Sequence, residues 1–309
     1  MRQLLYPWVL FNIFALLLLL VDLRVFHRRG RVIGLRSAIA ATVLYVALAA
    51  AFAAAVYLWK GPQTSLEFVT SYVLELSLSV DNLFLFLVIF RYFSVPEEQQ
   101  HNVLFWGILG ALLFRGIFIA TGVTLIHRFH WLFQILGTLL VYSGIRLCMT
   151  GERRIDPAAN PLVRILRRCI PVTTDYHGGS FFIRNPQNKA RLYATPLVIV
   201  LLVIETTDVL FAADSIPAVL AITLNAFIVY AANVFAILGL RSMYFAVSGL
   251  MKIFRFLPYG LALVLVLVGL KMIAVNRLHI PVAATLGVVA VVLLISVVLS
   301  LAFPSPNEA

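Results

Sequence analysis

The sequence predicts an all-α polytopic membrane protein of about nine transmembrane helices, organised around an inverted repeat of three helices plus three. Three observations predict it: the composition, the placing of the basic residues, and a set of acids and arginines that recurs at fixed spacing. Hydrophobic residues make up 62% of the 309-residue chain and charged residues only 12%, against about 25% charged in soluble domains. The mean hydropathy is +1.00. The apolar runs are continuous, so the alternating ten-residue pattern of an outer-membrane barrel is missing. The two cysteines, Cys148 and Cys169, make neither a disulfide framework nor a thiol-rich metal site.

Apolar runs long enough to cross ~30 Å of hydrocarbon fall at residues 6–23, 38–59, 67–90, 103–126, 131–149, 195–223, 226–250, 258–275 and 281–302. The first run is too long for a signal peptide, and it ends in Asp22-Leu-Arg instead of a small-residue cleavage site. It is therefore read as a span.

Basic residues decide the orientation. Of the 24 Lys and Arg, sixteen lie in the loops after spans one, three, five and seven: Arg24, Arg28, Arg29, Arg31, Arg36; Arg91; Arg153, Arg154, Arg164, Arg167, Arg168, Arg184, Lys189, Arg191; Lys252, Arg255. Arg2, Lys60, Arg128 and Arg277 lie on the other side. The positive-inside rule then puts the amino terminus outside and the carboxyl terminus in the cytoplasm. The +11 net charge is thus mostly topological, and nucleic acid is not an expected partner.

The four remaining basic residues fall within spans and pair off. Val141-Tyr-Ser-Gly144-Ile-Arg146-Leu resembles Val266-Leu-Val-Gly269-Leu-Lys271-Met at an offset of 125, and Arg115 precedes Arg241 by 126. Glu75 and Asp81-Asn82 match Asp208 and Asp214-Ser215 at an offset of 133. Spans three to five thus read as a repeat of spans six to eight. With three helices per unit, the copy enters the bilayer from the opposite side, the architecture that places a transported ligand between halves at the midplane. The chain divides into 1–66 (two helices and a basic cytoplasmic loop), 67–149 (first unit), 150–194 (a cytoplasmic loop joining the halves), 195–275 (second, inverted unit) and 276–309 (last helix and tail).

The chemistry lies in spans three and six. Five acids, Glu75, Asp81, Glu205, Asp208 and Asp214, sit mid-span, with Asn82 beside Asp81. Each carboxylate at the bilayer centre costs ~2.5–3.5 kcal/mol on insertion scales, so five cost roughly 12–17 kcal/mol before compensation. They must be protonated, paired, hydrated or bound to a cation. Glu205 and Asp208 are three apart and share a helical face. Glu75 to Asp81 and Asp208 to Asp214 are each six apart, about 120° around an unbroken helix. Convergence on one ion therefore calls for a local unwinding, for which Pro217 and the Asp/Asn/Ser steps are the candidates. The ligands on offer are the oxygens of Asp, Glu, Asn and Ser, and Arg115 and Arg241 could pair with the acids when the ion is absent. Such oxygen ligands suit Mg2+, Ca2+ or Mn2+ and not a thiolate or histidine metal. The histidines (His27, His101, His127, His130, His177, His279) lie in loops or at span ends. An aspartyl protease dyad of Asp81 and Asp214 lacks the Gly-x-Gly-Asp context, so no enzymatic activity is expected.

At these residues the chain resembles the TerC family of integral membrane proteins, including its Alx branch. The motifs are Glu75-Leu-Ser-Leu-Ser-Val-Asp81-Asn82-Leu-Phe, Tyr193-Ala-Thr-Pro196-Leu, Glu205-Thr-Thr-Asp208-Val-Leu-Phe-Ala-Ala-Asp214-Ser-Ile-Pro217-Ala and Asn233-Val-Phe-Ala-Ile-Leu-Gly-Leu-Arg241-Ser-Met-Tyr-Phe. The resemblance runs from the Val21-Asp22-Leu ending of span one to His279-Ile-Pro281. It implies a bacterial inner-membrane protein linked to tellurite resistance or, in the Alx-like branch, to manganese export and the response to alkaline pH. It carries the acidic-motif roles onto the six residues above, with Mn2+ as transported ion and no permanently bound cofactor. One departure is Leu76, where family members often have Lys after the first Glu. The expected activity is divalent-cation efflux, in exchange for protons; the alternative is an accessory stress protein without transport of its own.

Overall fold

The computed structural model describes residues 2–26, 35–129, 131–150, 171–173, 175–176, 178–184, 192–248, 256–274 and 280–302. Among these residues the chain forms nine long helices and one small hairpin. The helices are α1 (Arg2–Phe26), α2 (Leu35–Lys60), α3 (Pro62–Tyr92), α4 (Glu97–Arg128), α5 (Leu132–Thr150), α6 (Pro196–Leu220), α7 (Ala226–Ser248), α8 (Leu257–Ile273) and α9 (Val282–Ala302). Each coincides, within a few residues at its ends, with a run read from hydropathy. By length and composition α2, α4, α6 and α9 suffice to cross a membrane, and shorter apolar stretches lie in α1, α5, α7 and α8.

Helix α7 is central. Residues 231–240 are all buried, packed among α2, α3 and α4. On the outside the helices turn leucines outward: Leu10, Leu17, Leu58 and Leu294 are all more than half exposed. Such a surface is stable against lipid tails and not against water.

Contacts between helix ends sort the connections onto two sides. At one end, Thr223 Oγ1, in the turn between α6 and α7, donates to Glu67 Oε2 at the start of α3 (2.7 Å), and Trp59 at the end of α2 meets Phe227. At the other, Tyr176 O–H donates to the Phe93 carbonyl in the α3–α4 turn (2.7 Å). Asn102 Nδ2 donates to the Gly179 carbonyl (3.4 Å). The described part of the segment between α5 and α6 therefore sits beside the α3–α4 turn, as alternating crossings require. It includes a short hairpin. Strands β1 (Phe182–Arg184) and β2 (Leu192–Ala194) pair antiparallel, and Thr195 Oγ1 donates to the Ser180 carbonyl at 2.8 Å just ahead of α6. Most of its basic residues lie outside the described residues.

The most extensive helix pair is α5 with α8, and glycine makes it close. A Cβ on Gly137 would lie 2.8 Å from the Gly269 carbonyl oxygen, and one on Gly269 would lie 2.7 Å from that of Gly137. A Cβ on Gly144 would meet the Ala262 carbonyl at 2.6 Å. Small residues allow membrane helices to approach to backbone contact, where dispersion replaces the missing hydrophobic drive. Gly269→Val is expected to destabilise the fold by about 1–3 kcal/mol, the usual cost of overpacking. Its check is the thermal midpoint of the purified protein in detergent, beside Gly287→Val. A Cβ at Gly287 meets no atom within 4 Å, so that change should be close to neutral.

One expectation is corrected. The helices carrying the acids are not unwound: α3 runs unbroken through Asp81-Asn82, and α6 runs unbroken through Glu205, Asp208, Asp214 and Pro217. Pro217 is tolerated because it sits in the last turn of α6, which ends at Leu220. Only one intrahelical hydrogen bond is forgone there, and the proline carbonyl still accepts from the Ala221 amide at 3.0 Å.

Candidate ion site

With α3 and α6 unbroken, the acids spread along their helices and settle in different surroundings. The first is an ion-paired node joining four helices. Arg115, on α4, is 2% exposed and Glu75, on α3, is 0% exposed. The guanidinium donates through Nη1 to Glu75 Oε2 at 2.7 Å and to Asn233 Oδ1 on α7 at 3.0 Å. Through Nε and Nη2 it donates to both carboxylate oxygens of Asp208 on α6, at 3.3 and 3.2 Å. Asn233 closes the ring by donating from Nδ2 to Glu75 Oε1 at 2.5 Å. The rigid guanidinium fork can serve Asp208 in a bidentate pair and still reach Glu75; an ammonium could not hold that geometry. Two carboxylates against one guanidinium leave a formal charge of −1.

Glu205 stands one helical turn before Asp208. Its carboxylate lies directly against Gly110 of α4, in space that any Cβ at that position would occupy. Its Oε2 is buried and has no hydrogen-bond partner among the described residues. Glycine here is a requirement of the acid it faces.

The second place is a cavity of about 20 Å³ between α3, α5, α6 and α8, enough for one water-sized occupant. Its polar wall consists of Asn82, Ser143, Asp214 and Ser215; leucines and Phe211 form the rest. Asp214 is 8% exposed, and its Oδ1 accepts a hydrogen bond from Ser143 Oγ at 2.8 Å. Ser215 is 3% exposed, and its hydroxyl is buried without a partner among the described residues. A buried hydroxyl left unpaired costs about 1–3 kcal/mol.

The five acidic-motif residues whose side chains are described thus do not meet at one point. Among the described residues no three His, Cys, Asp or Glu side chains gather closely enough to hold a metal between them. Glu75 and Asp208 come together at Arg115, Glu205 sits next to that node, and Asn82 and Asp214 share the cavity. Asp81 belongs to α3 and Arg241 to α7, but their side chains lie outside the described residues. Sequence reasoning missed Asn233, Ser143 and Gly110, and placed Ser215 only as the counterpart of Asn82 in the repeat. Asn233 carried a usable signal, a lone amide amid apolar residues in mid-span. Ser143 stands inside the Val141–Leu147 repeat, where its spacing carries no sign of a role.

The family model for the integral membrane protein TerC family matches residues 60–308. The chain belongs to the TerC family. It is 44% identical over 295 residues to "Uncharacterized membrane protein STKORF319" of Myxococcus xanthus, covering 95% of this chain and 91% of that one. It is 41% identical over 303 residues to "Putative membrane-bound redox modulator Alx" of Escherichia coli K12, covering 95% and 93%. A membrane protein of Rickettsia bellii is 34% identical over 290 residues, covering 94% and 95%. No solved structure matches the chain. As a TerC-family protein, it is a multi-pass integral membrane protein, and node and cavity both lie on the helices of the family match.

Proposed function

We propose that this TerC-family protein is a secondary transporter that moves a divalent cation, Mn2+ foremost, out of the cytoplasm across the bacterial inner membrane. The observation that carries the reading is the surplus of intramembrane carboxylate. Arg115 answers Glu75 and Asp208 together, while Glu205 lies against Gly110 and Asp214 accepts from Ser143 on the cavity wall. Hard oxygen donors in an apolar surround favour a hard divalent ion. Asn82 and Asp214 face the ion in this reading, and Asp81 joins them as a ligand on the strength of the motif. Glu205 and the pair Glu75–Asp208 line its path, with Arg115 as the cation that neutralises the pair while no metal is present.

The helix contacts support the inverted repeat behind such a transporter. A Cβ on Gly269 would meet Val141 Cγ2 at 2.9 Å, and one on Gly144 would meet Val266 Cγ2 at 2.8 Å. Adding 125 to the first residue number in one contact, and subtracting 125 from the second, gives the other. That reciprocity is what a pseudo-two-fold axis through the α5–α8 crossing produces. The efflux direction, and the amino terminus outside with the carboxyl terminus inside, rest on family resemblance and on the loop charges. The name of the Alx relatives favours a second reading, an accessory or redox-linked stress protein that moves no ion itself.

Proteoliposomes holding the purified protein under an imposed pH gradient separate the two. Expected is uptake of Mn2+ that the gradient drives, with Cu+ excluded. Mn2+ binding should weaken as pH falls, because protons compete for the same carboxylate oxygens. Vesicles that move none of Mn2+, Mg2+, Ca2+ or Zn2+ would favour the accessory reading.

A further inference from the structure

From the wall of the cavity we infer that Ser143 and Ser215 are ligands of the transported cation, and that Ser143 stands in for the cation on Asp214 while the cavity is empty. The inference rests on the transporter reading above and adds two neutral oxygens to its ligand set. The cavity takes its polar atoms evenly from the two halves: Asn82 and Ser143 from α3 and α5, Asp214 and Ser215 from α6. Asn82 and Ser215 hold equivalent places in the halves, 133 residues apart, and both line it. An ion between them therefore touches both halves at once.

The two hydroxyls differ in a way that points to an occupant. Ser215 Oγ is buried on the cavity wall with no partner among the described residues. Ser77, Thr206 and Thr207 on these helices return their hydroxyls to the carbonyl four residues back, of Val73, Leu202 and Val203. Ser71 and Ser79 on α3 are also buried without a described partner, but of these three serines it is Ser215 that lines the cavity, and a buried group without a partner calls for one. Ser143 does have a partner: its proton points at Asp214 Oδ1, 2.8 Å away. That proton is positive charge placed against the carboxylate. When a cation arrives at Asp214, the hydroxyl must rotate, since a proton facing a cation repels it. Rotation turns an oxygen lone pair to the ion, and Ser143 becomes a ligand. The equivalent of Ser143 in the second half, 125 residues on, is Val268, which has no such proton to offer. Only α5 can sense the ion this way.

Cysteine substitution tests this, because sulfur in the shell would change the metal preferred. In a background with Cys148→Ser and Cys169→Ser, Ser143→Cys and Ser215→Cys should each bind Cd2+ through a thiolate. The ultraviolet sulfur-to-metal charge-transfer band should appear on adding Cd2+ to the purified variants and stay absent in the background protein. Cd2+ should also block Mn2+ flux at concentrations about tenfold lower than in the background. Ser143→Ala should reach the membrane in normal amount and raise the Mn2+ half-saturation, with Ser143→Thr closer to the parent. The absorbance readout does not depend on transport. No Cd2+ band in either cysteine variant would overturn the inference even if the parent transports Mn2+. Bands in both variants would uphold the ligand assignment, whereas a parent that moves no Mn2+ would count against the transporter reading alone.

Discussion

Arg115→Met is expected to destabilise the protein by about 3–5 kcal/mol, the range found when one partner of a buried ion pair is removed. The change strands Glu75 at 0% exposure and Asp208 at 4%, with Asn233 as their remaining described neighbour in the node. Four helices lose their shared centre at once, so the amount of protein in the membrane should fall together with its transport. The detergent unfolding midpoint measures the loss directly. Arg115→Lys should recover only part of it, because a single ammonium cannot reproduce the bidentate pair with Asp208 and the bond to Glu75 together. Combining Arg115→Met with Glu75→Gln and Asp208→Asn removes all three charges, and should be more stable than Arg115→Met alone. An unchanged midpoint in Arg115→Met would show that the node does not hold the helices.

The second large effect concerns transport without loss of fold. Asp214→Asn keeps the shape of the side chain and can still accept from Ser143, but it removes the carboxylate charge from the cavity. Asp81→Asn makes the same isosteric change 133 residues earlier. Each variant should reach the membrane in normal amount and lose Mn2+ efflux by about tenfold or more, since even residues behind the ligands cost 10–100-fold in metal affinity. Glu205→Gln should also impair transport. Membrane abundance and vesicle flux measured on the same preparations distinguish this pattern from that of Arg115→Met, where both fall.

These two outcomes divide where sequence reasoning divided. Hydropathy locates the helices of the described residues, because a span of apolar residues is a local property. The acids stand out for the same reason: each is an exception to its own surroundings. Their grouping is not local. Six residues on two helices look like one ligand set once a break is assumed at Pro217, yet a proline in the last turn breaks nothing. Arg115 and Arg241 are equivalent by spacing, but the partners of Arg115 come from three other helices, and no spacing along one chain segment reveals that. Asn233, Ser143 and Gly110 escape for a related reason. A lone amide, a hydroxyl or an absent side chain acquires its role only from what the fold sets opposite it.

If the intramembrane carboxylates hold the transported cation, equilibrium binding of Mn2+ to purified protein will depend on them. Wild type and Asp214→Asn would be compared at equal concentration across a range of pH. The account predicts saturable binding by wild type that weakens as pH falls, and binding by Asp214→Asn reduced about tenfold or more. Equal binding by the two proteins would contradict it.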